Sequence, residues 1–204
     1  QGPSILIVCA KQAPGVFLSM GNEKEIIESK NGNYEVIRKL GEGFTGEVYV
    51  VNDLTRGEPC ALKLLNPEAF KEGQLTAFKR EFMLLSDLHN PHVCAVYDFG
   101  FSSNKDRYFF TMEVVQGKDL YKYVEGLAID EIEELFVQIV DGLGVIHQAG
   151  LIHYDIKGSN ILVTNTPTGG VLAKIVDFGL AAPSAEVHEN IAGTVRYMSP
   201  EMIL

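Results

Sequence analysis

Apolar and polar residues alternate along Tyr34-Glu35-Val36-Ile37-Arg38-Lys39-Leu40, the pattern of a strand with one covered face. Two further strands are predicted at Glu47 to Val51 and at Cys60 to Leu65, both rich in β-branched or apolar side chains. Phe78, Phe82, Leu85 and Leu88 then recur at helical spacing. After Asn90-Pro91, strands are predicted from Val93 to Tyr97 and from Tyr108 to Met112, with Ser102 to Asp106 as the turn between them. The first half of the chain therefore predicts five strands and one helix, closing on a short connector from Glu113 to Gly117.

The second half starts with a different period. Ile132, Leu135, Phe136, Ile139, Val140, Leu143 and Ile146 follow at spacings of three and four, which predicts a helix with a buried stripe. Asp130 with Glu133 resembles a capping box at its start, Ala149-Gly150 marks its end, and His147 reads as a packed structural histidine. A polar loop, His153 to Asn160, precedes the apolar run Ile161-Leu162-Val163, and a strand from Val171 to Val176 leads into Asp177-Phe178-Gly179. The stretch from Gly193 to Glu201 has little periodicity and reads as an ordered loop. At the other end, residues 1–32 hold one strand-like run (Ile5 to Ala10), a Pro14-Gly15 turn and a charged stretch from Glu23 to Lys30. They read as an extension of unknown role.

Charge and cysteine usage narrow the class of function. With 17 Lys and Arg against 27 Asp and Glu, the 204-residue chain carries a net charge of -10, so nucleic acid and anionic membranes are not expected partners. Cys9, Cys60 and Cys94 are far apart with no C-x-x-C pair, which suggests neither a disulfide framework nor a zinc site and fits a reducing cytoplasm. The run Ile5 to Ala10 is too short to span a bilayer and lacks the flanks of a signal peptide. A chain that begins with Gln1 reads as a piece of something longer.

The polar loop holds the parts that phosphoryl transfer needs. Asp155 could accept a hydroxyl proton, Lys157 could neutralise a transferring phosphoryl group, and the amide oxygen of Asn160 could hold a cation. Gly41-Glu42-Gly43-Phe44-Thr45-Gly46 joins two predicted strands and not a strand to a helix. That arrangement suits covering phosphates from above, and it equally describes a plain glycine-rich hairpin. Lys63 is the lone charge in an apolar strand, either paired within the protein, with Glu81 as the candidate, or facing solvent from an edge. Asp177 at the end of a strand is placed to bind a metal, or simply opens an Asp-x-Gly turn.

Taken in order, the glycine loop Gly41 to Val48, Lys63, Glu81, the loop His153 to Asn160, Asp177-Phe178-Gly179 and Ser199-Pro200-Glu201 resemble a eukaryotic-type (Hanks-type) serine/threonine protein kinase. The resemblance runs from about Tyr34 to the end of the chain. It implies an α+β, bilobal fold over residues 33–204. An N-lobe at about 33–113 would hold five antiparallel strands and one helix. A mainly helical C-lobe, at about 118–204, would be incomplete in this chain. It also implies ATP and Mg2+ as cofactors and a protein with a serine or threonine acceptor as partner. Gly41, Glu42, Gly43 and Gly46 would cover the ATP phosphates, and Lys63, held by Glu81, would contact the α- and β-phosphates. Val48, Ala61 and Leu162 would sandwich the adenine, the backbone of Glu113 and Val115 would meet its edge beside Met112, and Asp119 would approach the ribose. Asn160 and Asp177 would hold magnesium, Asp155 would be the base, Lys157 would steady the γ-phosphoryl charge, and Thr194 with Lys157 marks the serine/threonine branch. The alternative is a pseudokinase or ATP-binding scaffold, whose signature would be loss of Lys63, Asp155 or Asp177; all three are present.

Three departures stand against that resemblance. Tyr154 occupies the place of an arginine that in many members pairs with a phosphorylated loop, and a phenol cannot make that bidentate contact. Between Gly179 and Gly193 only Ser184 carries a hydroxyl, so activity independent of loop phosphorylation is expected. Gly158 and Ser199 also differ from commoner choices. The chain stops where the family's helical lobe would continue, so this segment alone is expected to expose apolar surface and to be weakly stable.

Overall fold

A computed structural model describes residues 25–43, 45–69, 74–178 and 182–183. They form two compact units, with cuts after Ala69, Val96 and Gln116.

The first unit is a closed barrel of β1 (Ile26–Ser29), β2 (Gly32–Gly43), β3 (Gly46–Asp53), β4 (Glu58–Leu65), β5 (Val96–Ser102) and β6 (Arg107–Met112), in the order β1-β2-β3-β4-β6-β5. There are six strands where the sequence pattern predicts five. The sixth, β1, lies inside the predicted extension and pairs antiparallel with β2 from Ile26↔Glu35 to Ser29↔Gly32. Only Ile27 of this strand is buried, too short a pattern to be read as a strand from sequence. Ile27 joins Tyr34, Val51, Cys60, Leu62, Leu64 and Phe109 in one apolar core, with the rings of Tyr34 and Phe109 edge to face at 5.3 Å. Burial pushes the Cys60 thiol up to about 12, so this cysteine is an inert core residue.

Strand β5 is displaced from its predicted position. Val93 and Cys94 do not belong to the barrel: they bridge in parallel to Ile175, and the Cys94 N–H donates to the Ile175 carbonyl at 2.9 Å. The strand begins at Val96 instead and runs to Ser102. An apolar run therefore serves two different sheets, a division that no local pattern marks.

The second unit contains α1 (Gln74–Ser86), β7 (Lys118–Asp119), α2 (Leu120–Tyr123), α3 (Ile129–Gln148), β8 (Leu151–Ile152), β9 (Ile161–Asn165), β10 (Val171–Ile175) and β11 (Ala182–Pro183). The β9–β10 hairpin is extended by β7, and β11 pairs with β8. Helix α3 starts two residues earlier than the expected capping box: Glu131 accepts the N–H of Ala128 at 2.9 Å, and Ala128 has no side-chain oxygen to return the bond. Leu135, Ile139, Gly142 and Ile146 form its buried face. Phe136 and Val140, also expected to be buried, are 54% and 63% exposed because they sit about 100° around the helix from that face. His147 is exposed in the last turn and not packed as predicted. Gln138 of α3 ties the helix to β10, accepting from the Ala173 N–H and donating to the Val171 carbonyl. No helix among the described residues is long and apolar enough to cross a membrane.

Candidate active site

In the first unit, the glycine segment lies at the tip of the β2–β3 hairpin, where Gly41 faces Val48, Glu42 faces Glu47 and Gly43 faces Gly46. The glycines join two strands, as their surroundings predict. Gly46 has a φ of +147°, and a Cβ built on it would lie 2.2 Å from the Leu64 carbonyl oxygen, so no larger residue fits at this position. Along β4, Ala61 faces Val50 and Met112, and Lys63 faces Val48 and Phe110. Strand β4 is thus interior to the sheet, and Lys63 is 1% exposed, which excludes the solvent-facing alternative. Val48, Ala61, Met112 and Val115 are buried as well, while Glu113 is half-buried.

In the second unit, Asp155, Lys157 and Asn160 converge. Lys157 Nζ lies 2.7 Å from Asp155 Oδ2, and the Asn160 amide nitrogen donates to the same oxygen at 2.9 Å and to the Asp155 carbonyl at 2.8 Å. The turn that allows this is a 3-10 turn at Gly158–Asn160, capped backward by the Asn160 N–H on the Lys157 carbonyl. With its nitrogen committed twice, Asn160 is 1% exposed and its Oδ1 accepts no hydrogen bond. An orphaned buried oxygen is costly unless something else meets it, and a hard cation is the group that would.

Asp177 is held beside this turn by backbone. The Val176 N–H donates to the Asn160 carbonyl at 2.9 Å, which fixes the start of Asp177-Phe178 against the end of the polar loop. Asp177 has a φ of +64° and Tyr154 one of +61°. Left-handed backbone costs a non-glycine residue about 1–2 kcal/mol, and here it occurs next to Asp155 and at Asp177 itself. Among the described residues no three His, Cys, Asp or Glu side chains cluster as a cage. Asn160 and Asp177 offer oxygen donors of the kind that would suit a hard divalent cation such as magnesium.

His153 locks the loop from within, a role its position in the sequence does not disclose. It accepts the Asp155 N–H on Nδ1 at 3.3 Å, which leaves the proton on Nε2, and Nε2 donates to the Val176 carbonyl at 3.1 Å. Its ring sits 5.0 Å from that of Phe178. Burial holds the imidazole below its ordinary value, outweighing the Val176 carbonyl and the carboxylates of Asp177 and Asp155, so the ring is neutral. Gly158 has its own packing partner: a Cβ there would meet the Tyr121 ring at 2.6 Å. Asp119 caps α2 through the Lys122 N–H at 3.1 Å and pairs with Lys122 Nζ at 2.8 Å. Burial raises its pKa, but the Lys122 contacts prevail and leave it lowered. Leu162 is buried opposite Asp119 across the β7–β9 pair, and Glu81 of α1 is 4% exposed. Thr194, Gly179 and Ser199-Pro200-Glu201 lie outside the described residues.

The model of the protein kinase domain matches residues 34–204. The chain is 34% identical to the serine/threonine-protein kinase pkn2 of Myxococcus xanthus over 84% of its own length and 21% of that protein's. It is 34% identical to the serine/threonine-protein kinase cds1 of Schizosaccharomyces pombe over 91% and 41%. With PrkC of Bacillus subtilis the identity is 31%, over 84% and 27%. The chain therefore spans less than half the length of these relatives. Among solved structures, the kinase domain of Mycobacterium tuberculosis PknI superposes with a TM-score of 0.61 at 29% identity, covering 72% of this chain and 60% of that one. On these grounds the chain belongs to the protein kinase domain family.

Proposed function

We propose that this chain carries the nucleotide-binding and catalytic portion of a serine/threonine protein kinase that moves the γ-phosphoryl group of ATP to a protein hydroxyl. The observation that carries the reading is the convergence of Asp155, Lys157 and Asn160 around one carboxylate oxygen, with the Asn160 Oδ1 left for a cation. Asp155 accepts the proton of the serine or threonine hydroxyl as its oxygen attacks the γ-phosphorus, while the bond to the β–γ bridging oxygen breaks. Lys157 stabilises the charge that spreads over the γ-phosphoryl oxygens. Magnesium held by Asn160 and Asp177 would neutralise phosphate charge.

The roles of the remaining residues are part of the same proposal. Gly41, Glu42, Gly43 and Gly46 cover the phosphates, Lys63 contacts them with Glu81 as its counter-charge, and Val48, Ala61 and Leu162 enclose the adenine. Glu113 and Val115 meet the adenine edge by backbone, Asp119 approaches the ribose, and Thr194 acts with Lys157 at the acceptor. Burial of Lys63 and Glu81 supports their assignment, since neither charge is left to solvent. With Tyr154 in the place of a phosphate-pairing arginine, the enzyme works without loop phosphorylation. Phosphatase treatment is expected to leave its rate unchanged.

The test is Mg-ATP-dependent phosphate transfer to a protein substrate by the full-length protein. Asp155→Asn is expected to lower turnover by a factor of about 10²–10⁴ while the fold is retained. No transfer by either form would overturn the reading.

A further inference from the structure

The β2–β3 hairpin faces an electrostatic problem of its own making. Glu42 and Glu47 sit directly opposite each other at its tip, and like charges in that position repel. Lys39 resolves it: its Nζ lies 2.7 Å from Glu42 Oε2 and 2.8 Å from Glu47 Oε2. The lysine reaches both because a register shift between Lys39 and Gly41 inserts one extra residue on β2.

Glu47 is then held from a second side. Tyr49 donates to its Oε2 at 2.6 Å, and Arg107 at the start of β6 meets its Oε1 at 2.6 Å. Arg107 is itself fixed to the β4 backbone, donating from Nε to the Leu65 carbonyl and from Nη2 to the Leu64 carbonyl. The same stretch of β4 bounds Gly46, and the Asn66 N–H donates to the Thr45 carbonyl at 3.0 Å. Hydrogen bonds from Lys39, Tyr49 and Arg107 hold the Glu47 carboxyl down to about 2, so it stays ionised throughout the working range. The network is graded: Arg107 is 21% exposed and Lys39 is 41% exposed.

We propose that Glu47 and Arg107, with Lys39 as the outer link, are positioning residues that set the glycine loop over the nucleotide. The idea rests on the kinase reading for what the loop covers, but not for how the loop is held. The Glu47 carboxylate is held on Oε1 by the less exposed Arg107 and on Oε2 by the more exposed Lys39, so one of its two charged restraints is released more readily than the other. Glu47, bonded to both, transmits the position of β4 and β6 to the loop.

The experiment compares Lys39→Met, Lys39→Arg and Glu47→Gln with the wild type in the full-length protein, reading KM for Mg-ATP, kcat and amide hydrogen exchange over residues 41–47. Lys39→Met and Glu47→Gln are expected to raise KM by about three- to tenfold, with kcat within about twofold, because the loss corresponds to roughly one exposed charge-assisted hydrogen bond. Exchange over 41–47 quickens in both, exchange in 60–64 does not, and Lys39→Arg restores the wild-type values. The double variant is no worse than Glu47→Gln alone, since both remove one linked network. Unchanged exchange and unchanged KM in both single variants overturn the proposal, as does equal quickening over 41–47 and 60–64, which marks a merely structural role. Quickened exchange at the loop with no phosphate transfer by any form, wild type included, keeps the positioning role and sinks the kinase reading.

Discussion

The glycine hairpin of the first unit and the polar loop of the second are both short, hydrophilic and joined to strands, yet they are held by opposite means. The hairpin is kept in place by side-chain charges at its surface, where water and salt compete. The loop is kept in place by buried or part-buried hydrogen bonds: His153 to Val176, Val176 to Asn160 and Asn160 to Asp155. Surface ion pairs are each worth about 0–1 kcal/mol, whereas leaving one buried polar group unsatisfied costs about 1–3 kcal/mol. On the proposed kinase reading, a cover over a ligand that enters and leaves gains from the first arrangement. On the same reading, a carboxylate that must meet a hydroxyl at a fixed angle gains from the second.

The comparison breaks most easily at Gly46, where the hairpin is held by rigid contact and not by charge. Gly46→Ala is expected to destabilise the protein by about 3 kcal/mol, the upper end of the overpacking range, because its Cβ meets a backbone carbonyl and its φ is positive. Denaturant midpoints measure this, and a loss below 1 kcal/mol would show that this position yields. Asn160→Ala comes next. It strips both bonds from Asp155 and removes the orphaned oxygen, so activity falls about 10- to 100-fold and the magnesium requirement rises. An unaltered magnesium requirement would argue that Oδ1 faces no cation.

Acid sharpens the contrast further. His153 is held below its ordinary pKa of 6.5 in the folded protein, so the unfolded chain takes up the proton first and stability falls as pH drops below 6.5. His153→Gln is expected to remove that part of the slope, and thermal unfolding across a pH series decides it; an identical slope in the variant means the imidazole is not the cause. Salt should act on the other region. At about 1 M ionic strength, where charges are screened within about 3 Å, KM for Mg-ATP should rise through the Lys39 links while exchange at 153–160 holds steady. The smallest effect is a gain: Ala128→Ser completes the cap of α3 and should stabilise by about 0.5–1 kcal/mol, read from the same unfolding curves.

Much of the site could be read along the chain because its chemistry is local. Asp155, Lys157 and Asn160 lie within six consecutive residues, and one tight turn brings them together. Lys63 stood out as a charge in an apolar strand, and its burial follows from β4 lying between β3 and β6. The pairing partners of strands were less legible. Val93 and Cys94 look like barrel residues by composition and bridge instead to Ile175, while β1 is too short for its alternation to register. Arg107 gave no signal at all, since the carboxylate it holds is 60 residues away in sequence.

By itself the sequence determined the glycine segment as a strand-to-strand turn, the long helix α3 and the short polar stretch that carries Asp155, Lys157 and Asn160. Those follow from periods of two and 3.6 residues and from chemistry carried within a few positions. Tertiary structure decided which strands close the barrel, which face of α3 is covered, how His153 is protonated and what restrains the Glu42–Glu47 pair. Each of these depends on groups far apart in the chain, and their burial and charge are settled only when the backbone brings them into contact.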